Sequence, residues 1–224
     1  MKLFELLIKI KTNNDFKKQL VNQSSGNDFE NKIKELLENS NSYSSYSSSN
    51  FKQHINFKKI KEKISNKMSN ENCIKNELVK DICQYESKFI YQPFGSQMFP
   101  DFLLIRKEYL IPLEIKYSNK KGDRPIWNSN IPHSFGIYIF GSKINDDITF
   151  YFGKDLLSYD EIKEMLFLAK KYKKELMDQS KKISKNKFEL YLRPMFNQKF
   201  SILKSNKRSI YEDNTIKFLK NIEK

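Results

Sequence analysis

The chain has 224 residues, which is long enough for one sizeable core, so a single domain is expected. Its 41 lysines and arginines exceed its 27 aspartates and glutamates by 14, and this excess favours a polyanionic partner such as nucleic acid. No apolar run approaches the ~20 residues of a transmembrane helix, and charges interrupt the apolar start, so we expect a cytoplasmic protein with no membrane partner.

The residues that form common catalytic and metal sites are scarce. Cys73 and Cys83 lack metal-ligand spacing and are expected to be reduced core thiols, while His54 and His133 are too few for a histidine-rich zinc site. The sequence has neither Gly-x-Ser-x-Gly nor Gly-x-x-x-x-Gly-Lys, which argues against a serine hydrolase and a P-loop nucleotidase.

Residues 1–86 are predicted to be mostly helical. Apolar residues recur at near-helical spacing over residues 2–22, and Asp28 reads as the N-cap of a second helix that ends near Glu38. Glu30 lies in the first turn of that helix, where an acid also suits the helix dipole.

A serine- and tyrosine-rich stretch, residues 39–50, has few side chains that could fill a core, so it is predicted to be a mobile linker. An alternative is that Tyr43 and Tyr46 order along DNA. Residues 51–69 and 71–86 then show the apolar spacing of amphipathic helices, the first with a lysine-rich face.

The period changes at about residue 87, and residues 87–157 are predicted to form a sheet. Ser158 and Glu161 then have capping-box spacing and open a helix to about residue 184. Its predicted buried stripe is Ile162, Met165, Leu166, Ala169, Tyr172 and Leu176. A strand over 187–195 and a helix from Ser209 to Ile222 complete an α/β fold, in which helices flank a mixed central sheet.

A Pro-Asp pair opens the most informative stretch. Pro100-Asp101 precedes one apolar run, and a second apolar run ends in Glu114-Ile115-Lys116 after a charged turn. Two strands joined by a tight turn give this pattern. Strand alternation puts Glu114 and Lys116 on one face, and Asp101 at the start of the neighbouring strand can converge on that face.

Two carboxylates and an ammonium at the end of a hairpin suit metal-assisted hydrolysis of a phosphodiester. The acids would hold a hard divalent cation, which polarises a phosphoryl oxygen and activates water. The lysine would orient that water or neutralise the developing charge. The alternative interpretation is an ordinary hairpin with two surface acids and a lysine.

Pro100-Asp101 with Glu114-Ile115-Lys116 resembles the PD-(D/E)xK nuclease signature, and is most similar to that of type II restriction endonucleases. The resemblance covers roughly residues 89–157, and residues 125–132 resemble a segment that follows Glu-x-Lys in some of these enzymes. It implies a restriction-endonuclease-like core, with a single nuclease domain over residues 1–224. Size and lysine-asparagine richness further resemble the rare-cutting members.

The resemblance also assigns roles. It implies that Asp101 and Glu114 bind Mg²⁺, that the Ile115 carbonyl is a third ligand and that Lys116 is the catalytic lysine. Members of the family often add an acid from an earlier helix, for which Glu30 is the candidate and Glu77 the rival. Such an enzyme would act beside a cognate DNA methyltransferase, which is a separate protein.

Candidate DNA-reading residues flank the hairpin on both sides. Amides suit adenine and arginine suits guanine, so the presence of only four arginines indicates an A·T-rich target. Trp127 is expected to anchor the core, whereas His133 follows Pro132 in a possible DNA-facing loop. The predicted DNA contacts are Gln92, Gln97, Lys120, Arg124, Asn128, Ser129 and Asn130.

Cutting both strands of a palindrome is simplest with two sites related by a two-fold axis, so a homodimer on double-stranded DNA is expected. Two other functions remain open from the sequence. One is a structure-selective repair nuclease or junction resolvase on the same core, and the other is a non-catalytic DNA-binding protein.

Overall fold

The computed structural model describes residues 2–68, 75, 77–79, 82, 86–119, 122–127, 131–190 and 196–222. The expectation that Cys73 and Cys83 are core thiols falls outside these ranges, as does most of the helix predicted over 71–86.

Three helices begin the chain: α1 (Leu3–Thr12), α2 (Asn14–Val21) and α3 (Gly26–Glu38). The first two replace the single helix predicted over 2–22. The chain breaks at Asn13, whose side chain accepts a hydrogen bond from the Phe16 amide and so caps α2. Helix α3 begins slightly earlier than predicted, because Ser25 rather than Asp28 is its N-cap.

The segment predicted to be a mobile linker is instead built into the body. Strand β1 (Ser44–Ser45) pairs in parallel with β2 (Lys88–Tyr91), and Tyr43 is 5% exposed. The buried side chain of Tyr43 therefore anchors this serine-rich stretch to the core, which its serine side chains alone could not do. Helices α4 (Ser48–Gln53) and α5 (Phe57–Ser65) follow in place of the one helix predicted there.

Four further strands complete a mixed sheet with β1 and β2: β3 (Phe102–Arg106), β4 (Tyr109–Ser118), β6 (Ile137–Ser142) and β7 (Asp147–Phe152). The strand order is β1-β2-β3-β4-β6-β7. Strands β4 and β6 run parallel, whereas β2, β3 and β4 form an antiparallel meander and β6 pairs antiparallel with β7. The predicted α/β class with a mixed central sheet is confirmed.

The remaining elements are β5 (Ile126–Trp127), α6 (Gly153–Leu156), α7 (Tyr159–Ile183), β8 (Phe196–Asn197) and α8 (Arg208–Ile222). Strand β5 pairs with β8 in a small ribbon. Residues 187–190 are not a strand, and the rest of the strand predicted over 187–195 lies outside the described ranges.

Helix α7 departs most from the sequence interpretation. The capping box at Ser158 and Glu161 is present, but Ile162 is the only buried residue of the helix. Met165, Leu166 and Ala169 are half-buried, but Tyr172 and Leu176 are 54% and 40% exposed, so the predicted buried stripe is wrong over the second half of its length. Amphipathic spacing indicates which side of a helix is apolar but does not show that the chain's own body covers that side.

Two cores lie on opposite faces of the sheet, as expected when neighbouring strand residues are all apolar. One joins α1, α2, α3 and α8 to strand residues that include Leu113 and Ile115. The other joins α4, α5 and Trp127 to residues that include Leu103 and Tyr138. Within the described residues, no helix is both long and apolar enough to cross a membrane.

A partly buried ionic group fixes α8 to β7. Arg208 donates to both carboxylate oxygens of Asp147 and, through Nε, to Glu212 at 2.9 Å. Glu212 also accepts a hydrogen bond from Thr149 at 2.8 Å. Burial alone would raise the pKa of Asp147, but the hydrogen bonds and charge of Arg208 outweigh it and hold that pKa below its ordinary value.

Gly141 of β6 allows α3 to lie close on the sheet. A Cβ at this position would lie 2.8 Å from Cζ of Phe29, the residue before Glu30. We expect Gly141→Ala to lower the free energy of unfolding by about 1–3 kcal/mol in urea denaturation, because the ring must move in a packed core.

Gly26→Ala is the matched control for this prediction. Its Cβ would meet only Tyr117 at 3.9 Å, in ordinary contact, and the position is the first residue of α3. Alanine favours a helix over glycine, so the free energy of unfolding should stay the same or rise slightly. Equal losses in both variants would contradict the close approach of Phe29 and Gly141.

Candidate active site

The ends of β3 and β4 are joined by hydrogen bonds that involve both predicted carboxylates. Asp101 directly precedes β3, and its Oδ2 accepts a hydrogen bond of 2.7 Å from the Ile115 amide. In return, the Asp101 amide donates to Oε2 of Glu114 at 3.2 Å. Each acid therefore bonds to the backbone of the opposite strand, and the two carboxylates are held side by side.

Lys116 completes the predicted trio. It lies two residues after Glu114 on the same strand face, and its Nζ donates to Glu114 Oε1 at 2.6 Å. The side chains of Lys116 and Glu114 are 23% and 13% exposed, so the pair is partly screened from water. The ammonium also lies 5.9 Å from the centre of the Trp127 ring. The three residues of the motif thus form one cluster.

Glu30 reaches the edge of this cluster from α3. Its Oε1 lies 3.5 Å from Nε2 of Gln92, which also donates to the Tyr91 hydroxyl at 3.0 Å. Burial, followed by the charge and hydrogen bond of Glu30 and the charge of Asp101, raises the pKa of Tyr91 to about 12. The side chain of Glu77, the rival acid, lies outside the described part of the structure.

The carboxylates repel one another in a poorly hydrated place. Burial, together with the charges of Glu114 and Glu30, raises the pKa of Asp101 to about 8 despite the opposing effect of Lys116. Burial likewise raises the pKa of Glu114, although Lys116 counteracts part of the effect. With every acid ionised, the cluster would carry more negative charge than one ammonium neutralises, so the acids hold protons that a bound cation would displace.

Among the described side chains, no three carboxylates, imidazoles or thiols are grouped so that they could hold a metal ion. Glu30 therefore does not close a three-carboxylate group with Asp101 and Glu114. The two hairpin acids, with a backbone carbonyl and water, are the groups that could hold a cation here. This small oxygen donor set fits Mg²⁺, which keeps several waters and is bound through one or two carboxylates.

Aromatic rings wall the other side of Lys116. The His133 imidazole stacks on Phe99 at 3.8 Å between centroids, and the His133 amide donates to the Tyr138 hydroxyl at 2.8 Å. Burial, with the charges of Lys67 and Lys116, lowers the pKa of His133 to about 3. His133 is 4% exposed, so its imidazole is a neutral part of the wall and not a surface DNA contact.

A second cation lies near this wall. The Lys67 carbonyl accepts hydrogen bonds from the amide and hydroxyl of Ser134, at 3.1 and 3.2 Å. Burial lowers the pKa of Lys67, and its charge, like that of Lys116, acts on the His133 imidazole. The segment after α5 thus places a partly buried lysine close enough to His133 for its charge to act on the imidazole.

The predicted DNA contacts are placed unevenly. Gln97 and Arg124 are exposed, and Arg124 donates to the Lys199 carbonyl at 3.2 Å. Gln92 is half-buried and bonded into the acidic cluster. Four predicted contacts fall outside the described ranges: Lys120, Asn128, Ser129 and Asn130.

Sequence reasoning missed Tyr91 and Lys67 at this site. The sequence offered a signal for Tyr91. It ends strand β2, which pairs with the strand that follows Asp101, and side-chain alternation along β2 limits the face on which its hydroxyl can lie. Lys67 had none, since its approach depends on how α5 docks on the sheet, and many other lysines share its local pattern.

Comparisons of the chain with family models, with curated proteins and with solved structures return no match. The site is therefore interpreted from its own geometry. The fold class is α/β with a mixed six-stranded sheet flanked by helices.

The raised pKa of Asp101 predicts a pH-dependent cost to folding. With a pKa of about 8 when folded and an ordinary value of 3.8, the protonated carboxyl favours the folded state. That contribution is complete below about pH 4 and is lost as the pH rises through 8. In metal-free buffer, Asp101→Asn should raise the free energy of unfolding by up to about 5 kcal/mol at pH 8, since each pKa unit corresponds to about 1.4 kcal/mol, and should change it little at pH 4.

Asp147→Asn is the matched control, because the pKa of Asp147 is shifted in the opposite direction. Its carboxylate contributes stability above its ordinary pKa, and the contribution is lost as the pH falls through the lowered value. This variant should therefore be less stable than wild type at pH 8, with the difference shrinking in acid. If Asp101→Asn also lost stability at pH 8, the repulsion at the hairpin would be refuted.

Proposed function

We propose that this protein is a Mg²⁺-dependent type II restriction endonuclease of the PD-(D/E)xK superfamily, with a restriction-endonuclease-like core. It would hydrolyse both strands of a palindromic, A·T-rich site in double-stranded DNA. The observation that carries the proposal is the convergence of Asp101, Glu114 and Lys116 at one end of the β3–β4 hairpin, in a chain with a net charge of +14. A basic surface favours the polyanion that such a cluster would cut.

The roles of the side chains follow from their contacts. Asp101 and Glu114 would bind Mg²⁺, with the Ile115 carbonyl as a third ligand. Magnesium supplies charge that polarises the scissile phosphate and lowers the pKa of bound water. Because a proton and a cation compete for Asp101, Mg²⁺ affinity should rise with pH.

Lys116 would act on the attacking water or on the charge that develops on the phosphate. In the structure it is held by Glu114 at 2.6 Å, so its position is set before substrate binds. The aromatic wall restricts water behind it, because the cavity between Lys116, Glu114 and the rings is only about 20 Å³. That volume admits about one water molecule.

The positions of the described arginines are consistent with an A·T-rich target. Arg208 is committed to Asp147 and Glu212, and Arg106 lies at the far end of β3 from Asp101, with Nη1 3.4 Å from the Ser87 hydroxyl. Of the described arginines, Arg124 alone is exposed near the predicted reading loop. Guanine is most often read by arginine, so amide contacts to adenine would dominate.

A homodimer with one site per strand is the simplest arrangement for a palindrome. A cognate DNA methyltransferase, as a separate protein, would protect the same sequence in the host. Both partners are consequences of the proposed activity.

Digestion of a long DNA of known sequence with purified protein and Mg²⁺ tests the proposal. We expect discrete fragments whose ends define one palindrome and the position of the cut. Cleavage only at branches or lesions would instead indicate a repair nuclease or resolvase. Binding without cleavage under any divalent metal would indicate a non-catalytic DNA-binding protein.

Asp101→Asn and Glu114→Gln should each reduce cleavage by at least about 10³-fold, because each removes a metal ligand. Specific binding in Ca²⁺ should remain. Mg²⁺ should raise the melting temperature of the wild type but of neither variant, which reports the metal site without relying on activity. Wild-type cleavage by either variant would refute the assignment.

Lys67→Gln tests whether the half-buried ammonium contacts the DNA backbone. We expect weaker DNA binding, a salt slope reduced by about 1, and a raised KM with kcat nearly unchanged. Lys220→Gln on the exposed face of α8 is the matched loss of charge and should leave the slope unchanged. The same salt slope in both variants would mean that Lys67 does not meet a phosphate.

A further inference from the structure

Helix α7 exposes an apolar stripe along most of its length. Leu168, Tyr172, Leu176 and Ile183 are 48%, 54%, 40% and 85% exposed. At 100° per residue, these four side chains fall within an arc of about 80°. A contiguous exposed apolar face on a long helix marks an interaction surface.

The segment after α7 covers the flank of the helix beside this stripe. After α7 the backbone folds back, so that the Leu190 amide donates to Ser180 Oγ at 2.7 Å and Glu189 pairs with Lys181 at 2.7 Å. Around the helix, Ser180 lies about 80° and Lys181 about 180° from Tyr172, so the returning segment covers one flank of the stripe and leaves Tyr172 54% exposed.

The stripe has the spacing of a helix that packs against another helix. Ala169, Leu176 and Ile183 are seven residues apart, and Met165, Tyr172 and Gln179 form a second series offset by three or four. This heptad arrangement lets side chains of one helix fill the gaps of a facing helix. A bound membrane or an extended peptide would not require a repeat of seven.

We propose that α7 pairs with α7 of a second copy of this chain, in an antiparallel arrangement about a two-fold axis between residues 177 and 178. Tyr172 then packs on Ile183 of the partner subunit, and Leu176 packs on Gln179 of the partner subunit. Each contact occurs twice, as two-fold symmetry requires.

The charged side chains favour this register over shifted ones. In this register Glu175 lies beside Lys182 of the partner subunit, twice, at the flanking positions that set pairing in coiled coils. A register shifted to an axis at residue 174 would set Glu175 against its own copy. A shift of one further step would need Ile162, which is 0% exposed because it is buried in its own subunit.

The pairing is compatible with the proposed nuclease dimer but does not depend on it. It follows from exposure, spacing and charge on one helix. A dimer without cleavage would refute the proposed function alone, and cleavage by a monomer would refute the pairing alone.

Sedimentation of the full chain tests the pairing. In 0.3 M salt, which screens the lysine-rich surface, the wild type should form dimers as its concentration rises from about 1 to 100 µM. Leu176→Lys should weaken dimerisation at least about tenfold, because it buries a charge in the seam. Phe167→Lys is the matched control: Phe167 is 66% exposed but on the opposite side of α7, so the dimer should persist.

Two further variants test the register. Gln179→Leu should tighten the dimer about tenfold, because two polar side chains leave an apolar seam. Glu175→Lys and Lys182→Glu should each weaken it about threefold or more, and the double variant should restore wild-type association. Circular dichroism would verify that every variant is folded.

A wild type that stays monomeric at 100 µM would overturn the proposal, as would equal losses in Phe167→Lys and Leu176→Lys. Failure of the double variant to restore association would overturn the register. If a monomeric wild type instead bound phosphatidylserine vesicles or DNA, and Leu176→Lys abolished that binding, the stripe would belong to the other ligand.

Discussion

The reciprocal hydrogen bonding of Asp101 and Glu114 across the ends of β3 and β4 is the constraint on which the rest of the site depends. Each carboxylate accepts from a backbone amide of the other strand, at 2.7 and 3.2 Å. The hydrogen bonds favour ionised acids, whereas burial and mutual repulsion oppose them. The pKa of Asp101 is raised to about 8, so burial and repulsion outweigh the hydrogen bonds in the absence of a cation.

Holding these acids together lowers the stability of the folded protein, so the packing of the surrounding fold has to compensate. The hairpin strands are buried on both faces, so the apolar residues beside Asp101 and Glu114 pack into two cores at once. On one face, Phe29 lies against Gly141 and brings the next residue, Glu30, to the edge of the acids. On the other, the stacked rings of Phe99 and His133 hold the segment before Asp101. The acids cannot move apart without disturbing both layers.

Some basic residues pair with acids inside the fold, whereas others remain on the surface. Arg208 is held within the fold by Asp147 and Glu212, where it attaches the last helix to the sheet. Lys116 is paired with Glu114, and Lys67 lies half-buried near His133. The lysines of α5 and α7 remain on the surface, where they favour association with a polyanion.

The sequence by itself determined the hairpin, the α/β class and the cluster of Asp101, Glu114 and Lys116, because alternation along two adjacent strands fixes which side chains share a face. It also determined the start of α7, through a local capping box. The tertiary structure alone decided that Tyr43 is buried, that Tyr91 approaches the acids, that Lys67 lies near His133, and that most of the apolar stripe of α7 faces outward. Local periodicity shows that a surface is apolar, but what covers it depends on elements distant in the chain.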